Sequence, residues 1–147
     1  MLSETTADRL RNVFADHPAV RAAYVFGFVA GDRERDRSDL DLGIVVDSDR
    51  WKPTDDKVPL VTDDKVPLVT DCMEAAERDW IDLVVLNGAP LVLQFEAVRP
   101  NVLLYARDDF HHGRFFSKVA RMCWDFEPHF RRQRKALKER LREKAHG

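Results

Sequence analysis

Apolar and polar positions change period along this chain, and each change marks an element. Leu10, Val13 and Phe14 recur at helical spacing between Ser3 and Asp16, with Pro18 just beyond, which predicts an opening helix laid over a sheet. Ala22 to Phe26 is a short apolar run halted by Gly27, the pattern of a buried strand feeding a turn. Between residues 40 and 46, Leu40, Leu42, Ile44 and Val46 alternate as one strand face, so Asp39 and Asp41 fall together on the other. Two more strands are expected at Ile81 to Leu86, interrupted only by Asp82, and at Val102 to Tyr105, with a helix over Leu91 to Val98 between them. Asp109 to Lys144 is helical in composition with a break around Asp125 to Pro128, and Leu137 and Leu141, one turn apart, mark a packing stripe.

The middle of the chain carries a repeat. Thr54 to Val61 reads Thr-Asp-Asp-Lys-Val-Pro-Leu-Val, and Thr62 to Val69 repeats it without a change. Two short copies bearing Pro59 and Pro67 do not make a solenoid, so the duplication reads as loop lengthening in a tolerant connector. A helix is expected from Leu68 to Arg78, beginning near the second proline.

A chain of 147 residues, 44% hydrophobic and 34% charged, suffices for one core. The elements divide it into residues 1–108 around the sheet and 109–147 as a C-terminal helical extension, packed on the same domain or facing a partner. The acidic and basic residues of the opening helix and the lack of any long apolar run point to the cytosol. Cys72 and Cys123 stand far apart without metal-ligand spacing, which suggests buried thiols. The net charge of -2 hides an asymmetry: Arg131 to Gly147 holds eight Lys/Arg against two Glu. A basic helical tail can bind nucleic acid or pair with an acidic protein surface, and charge alone does not choose between them. With no base-reading motif in that tail, nucleic acid is the weakest expectation for a partner.

Candidate chemistry gathers around Asp39, Asp41 and Asp82. Two carboxylates at i and i+2 on one strand face, joined by a third from a neighbouring strand, repel one another unless a cation lies between them. Mg²⁺ suits such oxygen donors and is commonly shared with substrate phosphates. Asp82 either completes the metal site or accepts the proton of an attacking hydroxyl. Twelve residues before Asp39, Gly27 ends a strand where backbone amides can approach a phosphate, with Ala30 and Gly31 also small enough for close approach. His111 and His112 diverge as neighbours and read as a polar helix start. Trp124, Phe126 and Phe130 read as packing or partner-facing aromatics, and Tyr24 and Tyr105 as structural strand residues.

Val25-Phe26-Gly27-Phe28-Val29-Ala30 followed by Ser38-Asp39-Leu40-Asp41-Leu42 resembles the minimal nucleotidyltransferase family, small relatives of the polymerase beta superfamily. The likeness runs from about Val20 to Tyr105. It implies an α/β (α+β) fold of a small mixed sheet flanked by helices. It also implies ATP held against Gly27, Phe28, Ala30 and Ser38, with Asp39, Asp41 and Asp82 as metal-binding and catalytic carboxylates. Many members of that family are antitoxins of HEPN toxins, and some transfer AMP onto a toxin tyrosine, so the resemblance implies a HEPN-type partner and Mg²⁺-dependent adenylyl transfer. Phe28 stands where the family has serine, and Asp32 where it has a second glycine. The exchange removes a hydroxyl donor and adds bulk, which supports an alternative: a nucleotidyltransferase-fold antitoxin that neutralises its toxin by direct binding.

Overall fold

The computed structural model describes residues 2–26, 40–51, 65–125 and 127–146. Four strands form one sheet in the order β3-β2-β1-β4. They are β1 (Val20–Phe26), β2 (Leu40–Val46), β3 (Ile81–Val85) and β4 (Leu103–Ala106). β1 runs antiparallel to β2 and β4, whereas β2 and β3 are parallel, so the sheet is mixed and the fold is α+β.

Both faces of the sheet are buried, and strand alternation sorts the side chains between them. Leu40, Leu42, Ile44 and Val46 join Ala23, Val25, Ile81 and Leu83 beneath α1 (Glu4–Ala15) and α2 (Lys65–Ala76). Ala22, Tyr24, Phe26 and Val45 face the other way, toward α3 (Leu91–Val98) and α4 (His112–Asp125). Val20 belongs to the first core and Ala22 to the second, although residues two apart share a face in a regular strand. A bulge between them makes the change, leaving Arg21 as the extra residue.

The helices carry the expected stripes. Ser3 caps α1, its Oγ accepting from the Thr6 amide at 3.1 Å, and Leu10 and Phe14 are fully buried beneath it. Burial of a side chain such as Phe14 contributes about 1.5–3 kcal/mol. On the opposite face Gly43 admits α3: a Cβ there would lie 3.2 Å from Leu86 and 3.3 Å from Ala97. The buried Tyr24 hydroxyl meets His112 Nδ1 at 2.7 Å, and His112 Nε2 meets Asn101 Oδ1 at 2.8 Å. Burial raises the Tyr24 pKa well above its ordinary value, so the hydroxyl keeps its proton and serves as the donor. His112 thus does more than begin a helix: it ties α4 to β1 and to the turn after α3.

Two sequence expectations change. α2 begins at Lys65, not at Leu68, with Pro67 as its third residue. The amides of a helix's first turn have no partner four residues back, so a proline there breaks no bond. Residues 65 to 69 of the second octapeptide copy are therefore helix, and Leu68 is fully buried. α2 also stops at Ala76, short of Arg78, in a Schellman turn. Arg78 N donates to Met73 O at 3.0 Å and Glu77 N to Glu74 O at 3.2 Å, while Glu77 takes the left-handed conformation at φ 53°.

α4 and α5 (Glu127–His146) flank the anticipated break. Leu137 of α5 packs on the second core. Beside it Arg134 Nε donates to the buried Glu96 of α3 at 2.5 Å, and the guanidinium lies 5.1 Å over the Phe95 ring. Trp124 is not packed: it is 81% exposed at the end of α4. Both cysteines are buried, and no helix among the described residues is long and apolar enough to cross a membrane.

Candidate functional site

The site is set by strand direction. β1 ends at one edge of the sheet, and β2 and β3, running opposite to it, both begin there. In the ladder Phe26 pairs with Asp41, and Asp41 pairs with Asp82. Lateral partners lie on the same face about 5 Å apart. The three residues thus form a row across the end of the sheet: an apolar ring, then two carboxylates.

Asp41 is 5% exposed and Asp82 half-buried. Neighbouring carboxylates in such a setting repel and lose hydration, a combination that a divalent cation relieves. Hard oxygen donors in lateral register fit Mg²⁺. Among the described residues no three His, Cys, Asp or Glu side chains converge as a metal site, so the described part of the site supplies two carboxylates.

Of the residues singled out in the sequence, the structure brings Asp41 and Asp82 together. Gly27, Phe28, Ala30, Ser38 and Asp39 lie outside the described residues. Their neighbours are nonetheless located: Phe26, before Gly27, closes β1, and Leu40, after Asp39, opens β2. His111 and His112 are remote in role, since His112 is spent on Tyr24 and Asn101.

Trp80 is an addition. It precedes β3, and its indole Nε1 donates to Asp82 Oδ1 at 3.2 Å while the side chain stays 59% exposed. Residues i and i+2 on an extended chain share a face, so the sequence Trp80-Ile81-Asp82 contained the signal. An exposed indole gains little from packing; its N-H fixes one oxygen of the carboxylate. Gly43, two residues beyond Asp41, is the other addition. It brings α3 close against the strand that carries the acid.

With this geometry in view, comparison with known proteins is specific at the level of family. The polymerase beta nucleotidyltransferase model matches residues 8–110, and the chain belongs to that family. Solved structures share the fold across nearly the whole chain. A chain of the toxin–antitoxin MntA–HepT is 18% identical with a TM-score of 0.60, over 95% of this chain and 98% of that one. A chain of a toxin–antitoxin with AMP-PNP is 21% identical with a TM-score of 0.58, over 92% and 97%. A chain from the complex of tri-AMPylated Shewanella oneidensis HEPN toxin with MNT antitoxin is 20% identical, with a TM-score of 0.54 over 92% and 95%. No curated protein matches the chain.

Proposed function

We propose that this nucleotidyltransferase is the antitoxin of a HEPN toxin and transfers AMP from ATP to a hydroxyl of that toxin, a tyrosine by preference. The observation that carries the proposal is the pairing of Asp41 with Asp82 at the sheet edge where β1 runs out toward Gly27. Support comes from the family to which the chain belongs and from likeness in fold to complexes of MNT antitoxin with HEPN toxin, one of them AMPylated.

In this reading Asp39 and Asp41 would hold Mg²⁺, which when bound neutralises charge on the phosphates. Amides around Gly27, Phe28, Ala30 and Ser38 seat the triphosphate. The acceptor oxygen attacks the α-phosphorus, the bond to the β-phosphate oxygen breaks, pyrophosphate departs, and Asp82 takes the hydroxyl proton. Trp80 holds Asp82 in one orientation for that transfer. Residues 109–147 form a helical extension of a nucleotidyltransferase domain spanning residues 1–108.

Phe28 favours a second reading, in which the same fold neutralises the toxin by binding alone. Incubating the protein with ATP, Mg²⁺ and the protein encoded beside it, followed by intact-mass spectrometry of that neighbour, separates the two. An AMP-sized gain, absent with Asp41→Asn, is expected. A stable complex with no gain, unrescued by Phe28→Ser, leaves binding alone.

A further inference from the structure

The basic tail carries no motif for reading bases, yet the structure organises it in a way that composition does not reveal. Arg131, Lys135, Lys138 and Arg142 stand at i, i+4, i+7 and i+11 of α5 and so form one straight stripe. Arg134 lies beside it. These five and Glu139 line a concavity of about 300 Å³. The stripe runs about 16 Å along the helix.

Three features show that the cations are not there for the helix itself. Like charges one turn apart destabilise a helix. Lys138 is pushed below the usual lysine value, first by desolvation and then by Arg134, Arg99 and Arg142, against only a partial opposing pull from Glu96. Arg134 spends its Nε on Glu96, while its Nη2 is buried with no hydrogen-bond partner among the described residues. A crowded row of cations lining one concavity calls for an anionic ligand with oxygens to offer.

We propose that the α5 stripe, with Arg99, binds the sugar-phosphate backbone of a nucleic-acid strand without regard to base sequence. Guanidinium forks match phosphate oxygens, and a row of them suits a chain of phosphates. A protein partner fits less well, because protein interfaces centre on aromatic and aliphatic anchors, whereas among the described residues only charged side chains line this concavity. The missing base-reading motif is consistent with the site, since backbone binding needs none. The stripe belongs to α5, whereas Asp41 and Asp82 belong to β2 and β3, and the proposal does not rest on adenylyl transfer.

The test uses the full chain and a fluorescein-labelled single-stranded RNA of mixed sequence, about 20 nucleotides long, with anisotropy followed from about 50 to 300 mM NaCl. Four or five phosphate contacts give a log-log slope near -3, at about -0.7 per contact. Lys135→Glu with Lys138→Glu should weaken binding at least roughly tenfold at low salt and flatten the slope by about 1.4. Arg132→Glu with Arg140→Glu, an equal change of charge on α5 outside the concavity, should cost much less. Circular dichroism verifies the fold, and exposed Lys135→Glu alone serves if the double variant is unstable. Equal loss from both pairs, a flat salt response, no binding near 50 mM salt, or equally tight binding of polyglutamate each overturns the proposal.

Discussion

Asp41 and Asp82 are lateral partners in a parallel strand pair, with Phe26 completing the row on the antiparallel side. Forty-one residues of sequence separate the two acids, and the sheet order alone makes them neighbours. Like charges side by side repel, which gives a measurable signature. Asp41→Asn or Asp82→Asn should lower adenylyl transfer by about 100-fold or more while thermal unfolding in metal-free buffer shows Tm unchanged or higher, because a repulsion is removed. A fall in Tm that matched the loss of transfer would assign these acids to structure instead.

Trp80 separates positioning from packing. Trp80→Phe keeps an aromatic ring but loses the N-H bonded to Asp82. Since the ring is 59% exposed, the free energy of unfolding should stay within about 0.5 kcal/mol of wild type, whereas transfer should fall roughly five- to tenfold, the worth of one hydrogen bond of about 1 kcal/mol. Trp80→His, which restores a ring N-H, should recover part of that loss. Measured kcat should carry the change, with KM for ATP little altered.

The thiols give a chemical test of the two cores. Burial, aided by Asp71, pushes the Cys72 thiol up to about 12, and burial also raises Cys123. The thiolate is the reactive form, so a raised pKa at a buried site means slow alkylation. At pH 8 iodoacetamide should leave both cysteines unmodified in the folded protein and label both in denaturant, as read by peptide mass spectrometry. Rapid labelling of Cys72 would show that α2 detaches from the sheet.

Deletion of one octapeptide copy should be tolerated although it spans a buried residue. Removing Thr62 to Val69 deletes the first five residues of α2 by number, including buried Leu68, yet Thr54 to Val61 then joins Thr70 and restores the same residues in the same order. Tm should therefore shift by no more than a few degrees. Leu68→Ala in the full chain should instead cost about 2–5 kcal/mol by opening a cavity. A deletion as damaging as Leu68→Ala would mean that the added length itself supports the fold.

Much of this architecture was legible along the chain. Alternation at Leu40 to Val46 and the apolar run at Ala22 to Phe26 revealed two strands, because a period of two and a short continuous run are both strand patterns, whereas the burial of both faces of β2 was not legible from its alternation. Strand order was not legible: nothing local to Ile81-Asp82 states that β3 lies parallel beside β2. The start of α2 was hidden because a proline reads as a boundary, whereas in a first helical turn it costs no hydrogen bond. Trp80 and Gly43 escaped notice for a related reason. Each acts on a neighbour, the carboxylate of Asp82 or the approach of α3, and that neighbour emerges only after folding.

The bulge at Arg21 makes this protein's tolerance of inserted and deleted residues uneven. One residue gained or lost before Val20 leaves the parity of the strand intact and falls on the turn from α1, where the carbonyls of Pro18 and Ala19 accept from Arg107 and Asp47. The same change between Ala22 and Phe26 reverses the parity of the strand, sending Tyr24 and Phe26 into space shaped for Ala23 and Val25 and detaching Tyr24 from His112. Natural length variation in relatives of this chain should thus collect before Val20 and avoid the five residues after Arg21.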